Sequence, residues 1–445
     1  MPVDPVRDAA IDTLLRVFDK GARTNQALER TITRRGSRLS SRGRRFLTHL
    51  VYGTTRHTTL TDHVLIPLLA KPINKLPLAI RLILRMGVYQ SIFLDSVTFP
   101  AMVHTSVDLA KKKGHAGTAR LVNAVLNKVP QTLDEITFPD AKEDPGLYLS
   151  VRYSLEKWVC DRWVEQFGFE RAEEICTASN EEAPATLRVN TTLTTRDDLL
   201  ASMVKLKINA VADPLIPDAI TLTDSSAPFK SKVFQEGHFY IQDPASMLPP
   251  HLLEPQAGET ILDMCAAPGG KSTHIAQLTN NGAQVISNDL GGPSYWRMQE
   301  NIERLQLENL SLVVSDATQL AFRGPFDRVL LDAPCTGMGT FRRHPELKFR
   351  MGPKAPRRLA KTQVTLLRSA SEVCKNGGIL VYSVCTFTPE ETEELAKTIT
   401  GELALTLEDG PAWLDKWKIS KGQYKIIPGP GQLDGFYLMR LRKQS

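Results

Sequence analysis

Two patterns of hydrophobic spacing divide the chain. Over residues 6–130 apolar positions recur at helical intervals, and Ile11, Leu14, Leu15 and Phe18 occupy positions i, i+3, i+4 and i+7 of one stretch. This spacing places apolar side chains on one face of a helix. Prolines separate such stretches at helix-length intervals, at Pro67, Pro72, Pro77, Pro100 and Pro130. We therefore predict a compact all-helical domain.

After residue 240 the pattern changes to short β-rich runs with helical spans between several of them. The runs are TILDMC, AQVISND, LSLVVSD, DRVLLDAPC and GGILVYSVC. Alternation of strand and helix is typical of a parallel, doubly wound sheet. Ligands of such sheets lie at the carboxyl ends of the strands. We therefore expect the ligand-binding and reactive residues at those ends.

The region between these patterns mixes a helical stretch, LEKWVCDRWVEQFG, with a strand-like one, PATLRVNTTL. It is preceded by EITFPDAKEDPGLYLSVRYS, whose proline, glycine and acid content is typical of a linker. The prediction is a multidomain chain with an all-α domain at 1–135, a linker at 136–150, a small α+β connecting region at 151–240 and an α/β Rossmann-like domain at 241–445.

Length and composition limit the class of protein. A chain of 445 residues is too long for one ordinary core. No apolar run approaches the roughly 20 residues of a membrane helix, and the first residues, MPVDPVRDAAIDTLL, carry acids where a signal peptide has a basic and then an apolar stretch. We expect a cytoplasmic protein without a membrane partner.

The six cysteines show no C-x-x-C spacing, so neither a zinc site nor a disulfide framework is predicted, and we expect no metal. Cys160, Cys176 and Cys374 are interpreted as buried small hydrophobic residues. Cys335 and Cys385 each follow a predicted strand at the ligand-binding edge, where a thiolate of lowered pKa is able to act as a nucleophile.

The net charge of +6 is mild, but the basic residues are concentrated. Between Arg30 and Thr61 there is no acid, and the eight arginines of this span are Arg30, Arg34, Arg35, Arg38, Arg42, Arg44, Arg45 and Arg56. A solvated face is one interpretation. Phosphate binding is the other, because the guanidinium group forms paired hydrogen bonds to phosphate. RNA or DNA is therefore a candidate partner, with Arg34, Arg35, Arg38, Arg42, Arg44 and Arg45 as candidate contacts.

A glycine turn, DMCAAPGGKST, connects the first predicted strand to a helix. It ends like a phosphate-binding loop, but Cys265 stands where the first glycine of that motif is required. The dinucleotide-binding pattern G-x-G-x-x-G does not fit either. An ATPase and a dinucleotide enzyme are both disfavoured.

Acids follow three of the later strands, at Asp289, Asp316 and Asp332. A single aspartate after a strand is usually a turn or cap residue. Three in successive units beside two cysteines favour a ligand site, and an acid about twenty residues after a glycine turn commonly binds ribose hydroxyls. The pattern predicts a nucleoside-containing cofactor without a pyrophosphate.

Several longer segments resemble a known family. DMCAAPGGKSTHIA, DAPCTGMGTFRRHPE and VYSVCTFTPEE resemble three motifs of RNA cytosine-5 methyltransferases that use S-adenosylmethionine, and LRVN, YIQDPAS and DGFYLMRL resemble segments that flank them. RDAAIDTLLRVFDKG, LRMGVYQSIFLD and ARLVNAVLNKV resemble an N-terminal NusB-like RNA-binding domain. The combination resembles the RsmB/Sun (Fmu) family, which methylates carbon 5 of one cytosine in 16S rRNA.

This resemblance implies roles for individual residues. Cys385 matches the nucleophile, Cys335 the second cysteine that helps to release the product, and Asp332 a residue between cofactor and target base. The cofactor-binding residues implied are Cys265, Ala266, Ala267, Pro268, Gly269, Gly270, Lys271, Asp289, Asp316 and Asp332. Whether Cys335 acts as a base or positions another group stays open, as does a plain helix-start role for Lys271.

Arg342, Arg343 and His344 directly follow the second motif. We expect them beside the RNA strand, with a solvated basic loop as the alternative. The cofactor is S-adenosylmethionine, the substrate 16S rRNA and the protein a monomer, if the resemblance holds. A tRNA cytosine-5 methyltransferase and a noncatalytic RNA-binding or ribosome assembly factor are the competing hypotheses.

The chain departs from the family pattern at two places. Val384 precedes Cys385 where the family usually has threonine. The stretch from Gly291 to Ser294 replaces polar or acidic residues that usually follow the ribose-binding acid, Asp289 here. Weaker cofactor binding is the hypothesis that follows from the second departure.

Overall fold

The structure is a computed structural model, and it describes residues 3–35, 39–223, 228 and 231–444. The chain divides into two compact units. The first unit comprises residues 1–181 and 341–353, and the second comprises 182–340 and 354–445. No helix among the described residues has both the length and the apolar character needed to cross a membrane.

The secondary structure of residues 3–35 and 39–181 is helical, as predicted from the spacing. Its α-helices are α1 Pro5–Phe18, α2 Thr24–Arg35, α3 Ser41–Arg56, α4 Thr58–Leu65, α5 Leu78–Phe93, α6 Phe99–Lys113, α7 Ala116–Glu135, α8 Pro145–Tyr153, α9 Lys157–Phe167 and α10 Phe169–Ala178. Fully buried apolar side chains such as Leu14, Leu50, Ile83 and Leu126 form its core. Burial of these side chains supplies the main stabilising free energy of the unit.

Prolines mark two helix starts but not every boundary. Pro77 immediately precedes α5, and Pro100 lies in the first turn of α6. Pro130 lies inside α7 and does not separate two helices, so the structure differs from the expectation at this proline. The residue is exposed and lies in the last two turns of the helix.

Part of the segment predicted as a linker is helical. The side chain of Asp144 accepts a hydrogen bond from the Leu147 N–H, and Pro145 occupies the first helical position of α8. Both residues are favoured at helix starts. The proposed domain boundaries stay predictions.

The segment 341–353 packs with the helices of the first unit. Phe341 is buried against Trp163, and Glu346 accepts a hydrogen bond from the Thr24 hydroxyl at 2.5 Å. The Lys348 ammonium donates to the Asn180 side chain at 2.6 Å, and burial lowers the pKa of Lys348 to about 7. These buried polar contacts fix the segment that follows the second motif.

The second unit contains a small antiparallel sheet. It is built from β1 Thr186–Val189, β2 Ala210–Ala212, β3 Ala219–Leu222 and β4 Phe239–Ile241 with α11 Arg196–Lys205 and α12 Lys232–Gln235. The strand order is β2-β3-β1-β4. Leu187, Ile220 and Phe239 are buried in its own apolar cluster. The predicted small α+β region is confirmed.

A nine-stranded sheet dominates the rest of the second unit. The elements are α13 Leu248–Leu253, β5 Thr260–Asp263, α14 Gly270–Leu278, β6 Gln284–Asp289, α15 Pro293–Arg304, β7 Leu310–Val314, β8 Phe326–Asp332, α16 Ala355–Val373, β9 Cys374–Val384, α17 Glu393–Glu402, β10 Leu405–Leu407, β11 Lys418–Ser420, β12 Gln423–Ile426 and β13 Phe436–Lys443. The order is β11-β12-β13-β9-β8-β5-β6-β7, and β10 pairs with β13.

The large sheet is mixed, whereas the sequence pattern predicted a parallel one. Strands β5 to β9 are mutually parallel, and β13 runs antiparallel to β9. Strand β12 is likewise antiparallel to β13, because residues 427–435, which connect the two, are too few for the crossover that a parallel pair requires. The predicted α/β fold class is confirmed, and the five predicted strands form the parallel part of the sheet.

Candidate active site

The glycine turn runs from the end of β5 to the start of α14. The Ala266 N–H donates to the Asn288 carbonyl at 2.9 Å, and the Gly269 N–H donates to the Ala266 carbonyl at 2.8 Å. Gly269 has a φ of +97°, and a Cβ there would lie 2.7 Å from Cγ of Met298. Only glycine fits this turn, because its φ is positive and a side chain would overlap Met298.

The ends of three parallel strands are tied together beside this turn. Oδ2 of Asp289 accepts a hydrogen bond from the Ala267 N–H at 3.0 Å. The neighbouring Asn288 amide donates to the carbonyls of Met264 and Ser315, at 3.0 and 3.2 Å. Asn288 was not predicted as a site residue, although it directly precedes the predicted ribose acid. Its two hydrogen bonds connect the end of β6 to the chain just after β5 and just after β7.

Asp316 is exposed after β7, and its hydrogen bonds are local. Oδ1 accepts from the backbone N–H and the hydroxyl of Thr318, at 2.8 and 2.7 Å. The bond from the Thr318 N–H is the main reason that the pKa of Asp316 is lowered. This is the turn-stabilising arrangement that aspartate commonly adopts after a strand. It leaves the carboxylate ionised at the sheet edge.

Asp332 is held from two sides. Oδ2 accepts from the Lys271 ammonium at 2.6 Å, and Oδ1 accepts from the Ser383 hydroxyl at 2.7 Å. Burial opposes the charge of Lys271, but the nearby carboxylates of Asp332 and Asp263 raise its pKa above the usual value. Lys271 is therefore a cation in direct contact with Asp332, and it also lies in the first turn of α14.

Cys335 and Cys385 meet at the ends of β8 and β9. Their Sγ atoms lie 3.3 Å apart, and both residues are half-buried. The hydrogen bond to Cys385, together with burial, raises the pKa of Cys335 well above its ordinary value. Cys335 therefore stays a thiol able to donate to the sulfur of Cys385. Cys160, Cys176 and Cys374 are buried, as predicted.

Val384 occupies the position where the family usually has threonine. Its side chain is fully buried in an apolar cluster of the second unit. Successive side chains of a strand point to opposite faces, so a hydroxyl at 384 would not share a face with Ser383, which contacts Asp332. The effect of this departure on the hydrogen bonding of Cys385 stays a prediction.

Asp263 is a buried acid at the end of β5. It is fully buried, and Oδ2 accepts from the Ser272 hydroxyl at 2.6 Å. Burial raises the pKa of Asp263 to about 7. Within the described part of the chain, its other oxygen has no hydrogen-bond partner. An orphan carboxyl oxygen beneath the glycine turn fits a ligand that carries a donor group.

Comparisons with known proteins agree with this geometry. The family model of the 16S rRNA methyltransferases RsmB/F matches residues 250–442, the NusB family model matches 4–131, and that of the RsmF/B-like ferredoxin-like domain matches 155–227. A probable ribosomal RNA small subunit methyltransferase B of Bacillus subtilis is 35% identical over 99% of both chains. The chain belongs to the RsmB/F family of 16S rRNA methyltransferases.

Other members and solved structures are also similar to this RsmB/F-family chain. Ribosomal RNA small subunit methyltransferase B of Thermus thermophilus is 34% identical and covers 98% of this chain and 97% of its own. The crystal structure of PH0851 shares the fold, with 24% identity, a TM-score of 0.85 and coverage of 100% of both chains. NSun6 from Pyrococcus horikoshii, solved with SFG, is 25% identical, with a TM-score of 0.60 over 65% of this chain and 98% of its own.

The two cysteine loops of this RsmB/F-family chain share one buried acid. Glu391 accepts from the N–H and the hydroxyl of Thr336, at 2.9 and 2.6 Å, from the Thr388 hydroxyl at 2.7 Å and from the Gln363 amide at 3.0 Å. Thr336 follows Cys335, and Thr388 lies three residues after Cys385. Glu391 was missed as a site residue, although it ends the motif VYSVCTFTPEE. It fixes the two loops relative to each other.

A buried arginine supports the glycine turn from the small sheet. Arg188 donates to the Gly270 carbonyl, to the Thr273 hydroxyl at 2.9 Å and to the Gln277 side chain at 2.9 Å. Burial lowers the pKa of Arg188 to about 10, so the group stays charged at neutral pH. Arg188 lies in the segment LRVN and attaches the start of α14 to β1. It was not predicted as a functional residue.

A second buried cluster of polar side chains joins α13, α14 and the residue before β3. Asp218 contacts Nε2 of His251 at 3.0 Å and Nε2 of His274 at 2.5 Å, and the three ligand-type atoms lie within 4.8 Å of one another. Nδ1 of His274 is buried and has no partner among the described residues. Metal-bound histidines usually donate their other N–H to an acceptor. The cluster is better described as a hydrogen-bonded bridge between α13, α14 and the small sheet.

The predicted RNA-binding arginines of the first unit differ in exposure. Arg34, Arg42 and Arg45 are exposed. Arg35 forms ion pairs with Asp8 and Asp12 at 3.0 and 2.6 Å. Arg44 donates to the carbonyl of Leu39 and the hydroxyl of Ser41. Arg38 lies outside the described residues. RNA contact by these arginines stays a prediction.

Arg342 and Arg343 do not lie on an open loop. Arg342 is buried, with 8% of its surface exposed, and its carbonyl accepts from the Arg56 guanidinium at 3.1 Å. Arg343 and His344 are half-buried. The solvated loop considered from the sequence is wrong, because residues 341–353 pack within the helical unit. RNA contact by Arg342 and Arg343 stays a prediction.

Proposed function

We propose that this protein transfers a methyl group from S-adenosylmethionine to carbon 5 of a cytosine in 16S rRNA, through a covalent adduct with Cys385. The observation that carries the proposal is the convergence of Cys385, Cys335 and Asp332 at neighbouring strand ends, with Lys271 from the glycine turn. Two sulfurs, a carboxylate and an ammonium at the carboxyl edge of a parallel sheet match the needs of this reaction.

The residues at the strand ends suit the proposed cofactor. The glycine turn of residues 265–271, the ribose-type acid Asp289 and the orphan oxygen of Asp263 lie on adjacent strands or their connections. Asp316 and Asp332 flank them on the two neighbouring strands. SFG, an analogue of S-adenosylmethionine, accompanies the related NSun6 structure. When bound, the cofactor would supply an electrophilic methyl group to carbon 5, and its sulfur would keep the electron pair of the broken S–CH3 bond and leave as the neutral thioether S-adenosylhomocysteine.

Cys385 is proposed to activate the base. Carbon 5 of cytosine is a poor nucleophile, and addition of a thiolate to carbon 6 breaks the aromaticity and makes carbon 5 enamine-like. The new bond joins Sγ of Cys385 to carbon 6, and negative charge develops on the ring nitrogen and exocyclic oxygen. The Lys271 ammonium, positioned by Asp332, stabilises that charge in a site with little water. Asp332 also orients the base by accepting from its amino group.

Product release needs removal of the proton from carbon 5. The electron pair of that C–H bond then re-forms the ring double bond and expels Sγ of Cys385. The high pKa of Cys335 keeps its thiol protonated at first, so Cys335 stabilises the Cys385 thiolate as a hydrogen-bond donor. A base role at the later step requires that Cys335 first lose its proton, and water is the alternative acceptor.

Several features support 16S rRNA as the substrate. The relatives that match over the full length are named ribosomal RNA small subunit methyltransferase B. The NusB family model matches residues 4–131 of the first unit, and Arg34, Arg42 and Arg45 of this unit are exposed. Because carbon 6 must be reached from outside the ring plane, the target cytosine has to lie in a loop or leave its stack.

A trapping experiment tests the chemistry. RNA carrying 5-fluorocytosine at the target has no carbon-5 proton to lose, so a working nucleophile stays attached to it. We expect a covalent protein–RNA complex in the presence of S-adenosylmethionine, stable to denaturation, and none with Cys385→Ala. Absence of the complex with the wild-type protein would favour the noncatalytic assembly factor.

A sequencing experiment tests the substrate. Bisulfite sequencing of total RNA from a strain lacking this protein is expected to show one unmethylated cytosine in 16S rRNA that is methylated in the parent strain. Complementation with the wild-type chain restores it, whereas Cys385→Ala does not. Loss of a methyl group from a tRNA instead would assign the enzyme to the competing substrate class.

A further inference from the structure

A second acid-free stretch of the chain lies in and before α16. Between Glu346 and Glu372 there is no aspartate or glutamate, and seven lysines and arginines occur. Lys354, Arg357 and Arg358 are followed by Lys361 at positions i, i+3, i+4 and i+7. This spacing places the four side chains on one face of the helix. We call these four residues the basic stripe.

The basic stripe is exposed to solvent. The Arg357 side chain is 85% exposed and lies 3.9 Å from Glu390. Lys354, Arg358 and Lys361 are exposed, and none of them forms an ion pair with another residue in the described ranges. Arg368, farther along α16, is paired with Glu402 at 2.5 Å. Three cations of the stripe are therefore available to a polyanion.

The stripe is not explained by helix stability. The first turn of α16 contains no acid. Cations near a helix N-terminus oppose the macrodipole, and like charges at i and i+4 repel each other. Four cations over the first two turns therefore cost stability in the isolated protein. An anionic partner would remove this cost.

The opposite face of α16 is fixed to the cysteine loops. Gln363 is fully buried, and its amide donates to the Pro334 carbonyl at 2.9 Å and to Glu391 at 3.0 Å. Leu366 and Leu367 pack into the core beneath the sheet. Because α16 rises about 1.5 Å per residue, the stripe spans about 10 Å of the helix, beginning next to Gln363. It therefore has a defined position relative to the two sulfurs.

We propose that the basic stripe binds backbone phosphates of the RNA strand that carries the target cytosine. The inference rests on the proposed function and extends it to a binding surface. Arginine and lysine contacts to phosphate position a nucleic acid without reading its sequence. Helix α16 carries these exposed cations and is hydrogen-bonded to the catalytic loops. The stripe would therefore hold the RNA strand close to the site, where the register of the RNA decides which base reaches Cys385.

The test uses the full-length protein with the triple substitution Lys354→Ala, Arg358→Ala and Lys361→Ala. The Kd for a 16S rRNA fragment is measured at several salt concentrations, beside the Kd for S-adenosylmethionine and the melting temperature. We expect RNA binding to be at least about tenfold weaker for all RNA sequences. The slope of log K against log salt concentration should fall in magnitude by about 2, because each neutralised phosphate of a single strand contributes roughly 0.7. Cofactor binding stays within about twofold of wild type.

Two variants serve as controls. Arg368→Ala removes a cation from the same helix that is already paired with Glu402, and it is expected to leave RNA affinity unchanged. If the triple variant has a lowered melting temperature, the single charge reversal Arg358→Glu is used instead. It is expected to weaken RNA binding while retaining the fold. An unchanged Kd and salt slope in both stripe variants, or equal weakening by Arg368→Ala, would overturn the proposal.

The same measurements separate this proposal from the proposed function. If the wild-type protein forms the 5-fluorocytosine adduct and the stripe variants bind RNA normally, only the stripe assignment fails. If the wild-type protein neither binds the RNA nor forms the adduct, the proposed function fails and the stripe assignment fails with it.

Discussion

The Sγ atoms of Cys335 and Cys385 lie 3.3 Å apart although fifty residues separate them in sequence. They come together because β8 and β9 are parallel neighbours, so the loops that follow the two strands leave from the same edge of the sheet. Glu391 then binds both loops. The distance permits a hydrogen bond between a thiol and a thiolate, which is what a nucleophile beside a protonated partner requires.

Replacement of each cysteine by serine is expected to give opposite results. Cys385→Ser abolishes methylation and the covalent complex, because a hydroxyl is a far weaker nucleophile than a thiolate. Cys335→Ser lowers turnover at least about tenfold but still forms the bond to carbon 6, so a covalent complex with unmodified RNA accumulates. Denaturing gels of protein with labelled RNA measure both. A Cys335→Ser variant that releases product at the wild-type rate would remove Cys335 from the mechanism.

The two groups that hold Asp332 are expected to contribute unequally to catalysis. Lys271→Met removes the cation and should lower kcat by about 10² or more, since charge stabilisation is lost in the transition state. Ser383→Ala removes one neutral donor and should lower kcat about fivefold to tenfold, equivalent to about 1 kcal/mol. Single-turnover rates at saturating RNA and cofactor test this order. Equal effects would argue that Lys271 acts only through Asp332.

Removal of the shared acid is expected to loosen both cysteine loops. Glu391→Ala leaves the donors of Thr336, Thr388 and Gln363 without their acceptor, at a cost of at least about 3 kcal/mol. Glu391→Gln keeps one acceptor oxygen and should retain more stability and more activity. Melting temperature and the rate of adduct formation are measured together. Adduct formation at the wild-type rate in Glu391→Ala would show that the loops do not depend on this residue.

Asp263 predicts a specific pH dependence of stability. Its folded-state pKa of about 7 is above the value of about 3.9 expected in the unfolded chain. The folded protein therefore holds a proton that the unfolded chain has released, and stability from this residue falls as the pH rises from about 4 to about 7. Asp263→Asn cannot titrate.

The melting temperature of Asp263→Asn should accordingly be close to that of the wild type at pH 4.5 and higher than it at pH 8. Differential scanning fluorimetry over this range measures the difference between the two proteins. Ser272→Ala, which removes the hydroxyl that Asp263 accepts from, serves as a non-titrating comparison. A difference that does not change with pH would place the pKa of Asp263 near its ordinary value.

Much of the site could be predicted because its residues follow strands. Asp289, Asp332, Cys335 and Cys385 each stand at or just beyond the end of a β-rich run, and parallel strands bring such positions to one edge. The groups that support them were not predicted. Arg188 and Glu391 act through hydrogen bonds to residues distant along the chain, and no local pattern distinguishes a buried charged residue from an exposed one.

The sequence by itself determined the order of helical and strand-forming regions, the glycine turn and the residue types at the strand ends, because these depend on spacing and on backbone preferences within a few residues. Only the tertiary structure decided the antiparallel placement of β13, the burial of Arg342 and the exposure of Lys354, Arg358 and Lys361. Burial and long-range pairing depend on which surfaces the folded chain brings together. A cation in the sequence acquires its role only when that packing leaves it buried with a partner or open to solvent.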